Sequence, residues 1–168
     1  RLDPFAADLA VVNLPDDGII DSGDVVLNLE LINNGRIATA NLTATLISDS
    51  WGIRVTRDTA SYAAIDPGER AVPNEGFLIT SHSSYLRGMR VPMTLILDSD
   101  GVLIDKINFQ LQISTASNGD PFGPDSHGYY VFDDSDQGYD QRPEWDWVEI
   151  SLQEQLLEIP GRPLNIIR

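Results

Sequence analysis

The run Val25–Ile32, VVLNLELI, decides the fold. Val25, Leu27, Leu29 and Leu31 share one face of an extended chain, and Asn28 and Glu30 point the other way. That period of two is the pattern of a half-buried strand. Asn33-Asn34-Gly35 then breaks it with turn chemistry, because Asn and Gly tolerate positive φ. The alternation returns in Asn41–Ser48, NLTATLIS, where Leu42, Ala44 and Leu46 oppose Thr43, Thr45 and Ile47.

Working outward, Ala6–Leu14 makes one strand before this pair. Ile53–Thr56, Ser61–Ile65 and Gly76–Ser81 are shorter ones after it, with a turn at Asp66-Pro67-Gly68-Glu69. Met89–Asp98 is longer, and Pro92 demotes its first end to an edge or a bulge. Asp98-Ser99-Asp100-Gly101 has hairpin composition. Val102–Ser114 returns as a long strand with Ile104, Ile107, Phe109, Leu111 and Ile113 as its apolar positions. The total is seven to eight strands, and no stretch before Ser114 has a helical period. The expected fold is all-β: an immunoglobulin-like antiparallel β-sandwich with an aromatic, Asp-rich C-terminal extension. A boundary near 116–120 divides a sandwich, 1–117, from an extension, 118–168, that carries two short strands and an apolar tail.

Composition narrows the function. The 168 residues include 26 acidic and 11 basic ones, a net charge of -15. Such a field repels nucleic acid and anionic membranes, and it suits divalent cations, basic partners or simple solubility. The absence of cysteine excludes thiol catalysis, cysteine-ligated zinc and a disulfide scaffold. A chain of this length buries roughly 70% of its unfolded surface and needs no disulfide to hold a core. No apolar run approaches the ~18–20 residues of a membrane span. The chain starts at Arg1 rather than methionine, which reads as a processed product or a piece of a longer precursor. Together these lean towards an extracellular location.

LNLELINNGRIATANLTATLIS followed by IDPGERAV resembles the CARDB-type adhesion modules of bacteria and archaea. In that family an alternating strand ends at Asn-x-Gly, a second strand follows, and a Pro-Gly-Glu turn comes some way on. The resemblance covers Asp8 to about Ser114 and implies an immunoglobulin-like, non-enzymatic module at a cell surface. The chain departs from the family where an acidic Glu-x-Asn-Asn often closes the module, since Gln110-Leu111-Gln112-Ile113 stands there.

Seven of the thirteen aromatics lie between Phe122 and Trp147, interleaved with Asp120, Asp125, Asp133, Asp134, Asp136, Asp140, Glu144 and Asp146. This segment, DPFGPDSHGYYVFDDSDQGYDQRPEWDW, resembles a junction found in large secreted bacterial multidomain proteins, gingipain-like C25 peptidases among them. The resemblance implies a place beside other domains and transfers no catalytic residue.

Four readings of the segment compete. As a seam, Tyr129–Phe132 and Trp145–Ile150 form two more strands whose aromatics, Tyr129, Tyr130, Trp145 and Trp147, pack at an interface. As a calcium loop, Asp133, Asp134, Asp136 and Asp140 around Gly138 supply oxygens, although not in EF-hand register. As a carbohydrate platform, Trp145 and Trp147 share one strand face. As a catalytic site, Asp125-Ser126-His127 has triad residue types, but adjacency in sequence is not triad geometry. His82 is the other histidine, and no nucleophile elbow, zinc-protease helix or phosphate loop occurs. Asn41-Leu42-Thr43 is a glycosylation sequon inside an expected strand, best read as chance.

Ser151-Leu152-Gln153-Glu154 has capping-box spacing before a short helix that would stop at Pro160-Gly161. Leu164, Ile166 and Ile167 then make an apolar tail that needs cover. Either that tail or Ala6–Leu14 could add to the open sheet edge of another copy. The expectation is a non-enzymatic extracellular module that builds or spaces a surface assembly or filament. Its partners would be copies of itself or neighbouring β-domains, with calcium as the one candidate cofactor. The alternatives are an accessory domain of a secreted peptidase-like protein and a carbohydrate-binding module.

Overall fold

The structure, a computed structural model, describes residues 7–14, 18–20, 23–50, 52–81, 85–123, 125, 127, 129–133, 135–136, 138–139 and 142. Among these there are eleven strands and no helix of α type. They are β1 (Leu9–Val12), β2 (Ile19–Ile20), β3 (Asp24–Leu27), β4 (Glu30–Asn33), β5 (Leu42–Ile47) and β6 (Ile53–Arg57). β7 (Thr59–Tyr62), β8 (Arg70–Ala71), β9 (Phe77–Ser81), β10 (Arg90–Ser99) and β11 (Val102–Ile113) follow. The strands form a five-stranded sheet in the order β2-β11-β10-β5-β7, and two three-stranded sheets, β1-β4-β8 and β3-β9-β6. All pairs are antiparallel except β2 with β11.

One buried cluster draws on all three sheets, which makes the molecule an all-β sandwich of the immunoglobulin-like class. Leu31 comes from one small sheet, Leu27, Phe77 and Ile79 from the other. Leu42, Ala44, Leu46, Met93, Leu95, Leu97, Leu111 and Ile113 come from the large one. β5 follows its alternation: Leu42, Ala44 and Leu46 are buried, and Ile47 faces out.

VVLNLELI is not one strand. β3 pairs with β9, while β4 pairs with β1 and β8, so the chain changes sheets at Asn28-Leu29. The inward face survives the change, since Leu27, Leu29 and Leu31 are fully buried, although Val25 is only half-buried. Leu29 lies between ladders, and its buried carbonyl takes a hydrogen bond from the Tyr62 hydroxyl of β7 at 2.8 Å. Gly76 makes room at the break: a Cβ there would come within 2.2 Å of Asn28 Oδ1. This break, together with the two-residue strands β2 and β8, takes the count beyond the seven to eight expected.

The turn after β4 rests on a different cause from the one expected. Neither Asn34 nor Gly35 adopts positive φ. Instead Asn33 is fully buried and its side chain organises the turn. Its amide donates to the carbonyls of Ile37 (2.8 Å) and Ile65 (3.0 Å), and its Oδ1 accepts from the amides of Gly35 (2.9 Å) and Asp8 (3.4 Å). Its backbone pairs with Gly68 and Glu69. There Asp66-Pro67-Gly68-Glu69 closes as a type II turn, with Gly68 at φ 82°. One buried asparagine thus knots both halves of the CARDB-like pattern.

The β10–β11 hairpin is the two-residue kind, with Asp100 at φ 52° and Gly101 at 78°. A bulge opposite Leu97 and Asp98 skips Ile104, which is thrown outward beside exposed Val102 and Leu103 instead of joining the core. Pro92 sits where β10 has run past its ladder with β5, and its carbonyl takes the Ser48 hydroxyl, so no ladder N–H is missed. Tyr129–Phe132 does not form a strand; a single bridge, Phe122 with Val131, stands in its place. The expected strand Trp145–Ile150 and the helix from Ser151 lie outside the described residues. No helix among those residues is long and apolar enough to cross a membrane.

Candidate functional site

Two features adjoin at the end of the sandwich: the edge of β11, and the segment folded back after Ser114. β11 is paired with β10 over Val102–Gln112, but with β2 only at Gln112 and Ile113. Over Val102–Leu111 its other side meets no strand among the described residues. The Lys106 amide donates to the Asp105 carboxylate at 2.7 Å, not to β10. Alternate residues of a strand turn their N–H and C=O groups to the same side, so Lys106 and Asn108 present theirs to the open edge.

The segment beyond is stapled to the sandwich by Asp120, whose side chain is 7% exposed. One of its oxygens accepts from the amide and hydroxyl of Ser117, both at 2.7 Å. The other accepts from the Tyr139 hydroxyl and lies 3.9 Å from Arg87 Nε. Burial pushes the Asp120 carboxyl up, but these hydrogen bonds and the Arg87 charge outweigh it and hold it below the usual range. Burial and the bond to Asp120 push the Tyr139 phenol up to about 12. Phe132 meets the Tyr139 ring edge-on at 6.4 Å.

Phe122 and Val131 exchange two backbone hydrogen bonds of 2.9 Å, and the Asp125 amide donates to Tyr129 at 3.0 Å. Phe122, Tyr129 and Val131 are left 87%, 71% and 67% exposed, a large apolar display for one short stretch. A cavity of about 380 Å³ runs beside them, lined also by Ala116, Ser117 and Pro121. Tyr130 turns inward, and its buried hydroxyl has no partner among the described residues.

Asp133 and Asp136 close a tight turn on each other. The Asp136 amide donates to the Asp133 carbonyl (3.3 Å), and the Asp133 amide donates to Asp136 Oδ2 (2.6 Å). Asp133 Oδ1 accepts from the Ser135 amide (2.8 Å) and hydroxyl (2.5 Å), which hold its carboxyl below the ordinary value. Asp136 is 2% exposed, and its Oδ1 has no partner among the described residues. Asp134 and Asp140 lie outside the described residues. Among those residues no three acidic or histidine side chains converge.

Of the expected interface residues, Tyr129 is exposed and Tyr130 is folded in, while Trp145, Trp147, Leu164, Ile166 and Ile167 lie outside the described residues. Asp125 spends Oδ1 on the amides of His127 (2.8 Å) and Tyr129 (2.9 Å), the work of a turn residue. Asn41 Oδ1 takes the Ala64 amide at 3.1 Å. The open edge of β11 and the staple at Asp120 were missed in the sequence. The Asp105-Lys106 pair in mid-strand is the one signal for the first, since charges commonly guard exposed edges.

No family model matches the chain, and neither does any curated protein. Among solved structures, the chain is similar to native alpha-2-macroglobulin from Escherichia coli, spanning domain MG7 to the C-terminus. Identity is 15% and the TM-score 0.47, over 68% of this chain and 18% of that one. It is also similar to the CARDB domain of a Pyrococcus furiosus protein in complex with di-metal ions. There identity is 14% and the TM-score 0.41, over 67% of this chain and 93% of that one.

Proposed function

We propose that this chain is a non-enzymatic structural module of an extracellular assembly, joined to its neighbours by strand addition. The open edge of β11 carries the reading. Among the described residues it turns the backbone groups of Lys106 and Asn108 to no partner strand, the Lys106 amide being held by the Asp105 carboxylate, and exposed Val102, Leu103 and Ile104 flank them. A strand laid there gains main-chain hydrogen bonds for affinity and side-chain pockets for register. The donor is the apolar C-terminal stretch of another copy, with Leu164 and Ile166 on one face of the added strand and Ile167 on the other. Repeated head to tail, the contact yields a filament when its rotation does not close.

Light scattering after size exclusion tests this. The wild-type chain is expected as multimers that fall to monomer on deletion of 163–168. Asn108→Pro should do the same, because it removes an edge N–H while leaving the β10 ladder whole. A monomer at every concentration sinks self-assembly. The Asp120 staple favours a second reading in that event: an accessory domain of a secreted multidomain protein, with 118–168 as the joint that fixes the next domain's angle. Calcium belongs to either reading as the ion that stiffens this joint.

A further inference from the structure

The turn at Asp133–Asp136 holds a carboxylate that the protein itself leaves half unsatisfied. Asp136 is 98% buried, its Oδ2 is tied to the Asp133 amide, and its Oδ1 meets no donor. No lysine, arginine or histidine among the described residues pairs with it. Buried carboxylates are stable when paired, hydrogen-bonded or bound to a metal, and a lone orphan oxygen calls for an occupant. Asp133 brings a second carboxylate to that turn, with its Oδ1 bonded to Ser135.

We propose that Asp136 Oδ1, with the Asp133 carboxylate beside it, binds a calcium ion that locks the turn of the C-terminal joint. Calcium accepts six to eight oxygens in flexible geometry, including backbone carbonyls and waters, so two carboxylates suffice to anchor it. A site with so few charges belongs to the weak class, with Kd of about 10⁻⁴–10⁻³ M, the range of extracellular modules. The proposal deepens the reading of 118–168 as a joint. It is independent of strand addition, because a monomer can bind the ion and a filament can form without it.

The test uses the full chain, stripped with EDTA, in enough sodium chloride to screen its net charge. Differential scanning fluorimetry with and without calcium is run beside terbium luminescence sensitised by the chain's own aromatics. At about ten times Kd the melting temperature should rise by roughly 3–6 °C. Asp136→Asn should abolish both signals and melt no lower than wild type in EDTA, because it removes a buried charge. A wild-type chain indifferent to calcium and terbium overturns the proposal. An equal response in wild type and Asp136→Asn overturns it too, since the ion would then bind the acidic surface at large. Should Asp136→Asn fail to fold, Asp133→Asn decides: weakened terbium affinity supports the site, and unchanged affinity refutes it.

Discussion

Removing one oxygen atom should measure what holds the sheet break together. In Tyr62→Phe the ring stays in the core and only the hydroxyl goes. The Leu29 carbonyl, buried and outside both ladders, then loses the 2.8 Å hydrogen bond it accepts, from its one partner among the described residues. An orphaned buried acceptor costs about 1–3 kcal/mol. A fall of ~2 kcal/mol corresponds to roughly 4–8 °C for a chain of this size. In urea, with a slope near ~2 kcal/mol/M, the midpoint should drop by about 1 M at unchanged slope. Tyr62→Leu adds a cavity and should cost more, about 3–4 kcal/mol. If Tyr62→Phe unfolds at the wild-type midpoint, the carbonyl has another way to be satisfied and the hydroxyl does not brace the break.

Other outcomes follow from the same contacts. Asn33→Ala strips four hydrogen bonds from a fully buried site, two of them to carbonyls in separate loops. It should destabilise by about 3 kcal/mol or more, read as a lower urea midpoint; a loss under ~1 kcal/mol would show that the backbone alone holds the knot. The seam should be stable only within a pH window. The carboxyl of Asp120 is lowered by folding, so its contribution is present above about pH 4 and lost as pH falls through the lowered value. The phenol of Tyr139 is raised from 10 to about 12, so its contribution is complete below pH 10 and lost as pH rises towards 12. Protease cleavage near Ser117–Pro121 should therefore quicken at both extremes while the near-ultraviolet circular dichroism of the core persists. Cleavage indifferent to pH would refute the staple.

Much of the sandwich was legible because strand period and hairpin chemistry are local. Leu42, Ala44 and Leu46 fell on the buried face as their spacing required, and Asp100-Gly101 made the turn its residue types favour. The sheet change at Asn28-Leu29 was hidden because alternation tells inside from outside and not which sheet a residue joins. Asn33 looked like an exposed turn residue, since nothing in composition shows an amide with four partners waiting for it. Ile104 looked like core because a bulge shifts parity without leaving a mark in the sequence. At the candidate site, the aspartate spacing singled out the turn that carries Asp133 and Asp136. It could not distinguish Asp133, exposed and bonded to Ser135, from Asp136, buried and unsatisfied. That difference depends on which carboxylate folds back over its own turn.

The parallel pairing of β2 with β11 has a mechanical meaning for the sandwich. Ile19 and Ile20 lie beside Gln112 and Ile113, and the Ser114 amide extends the contact to Ile20 at 2.8 Å. Tension between the chain before β2 and the chain after β11 drags these strands past each other lengthwise. Their hydrogen bonds then bear the load together in shear, and none can peel away ahead of the rest. A short clasp so placed resists pulling out of proportion to its few bonds.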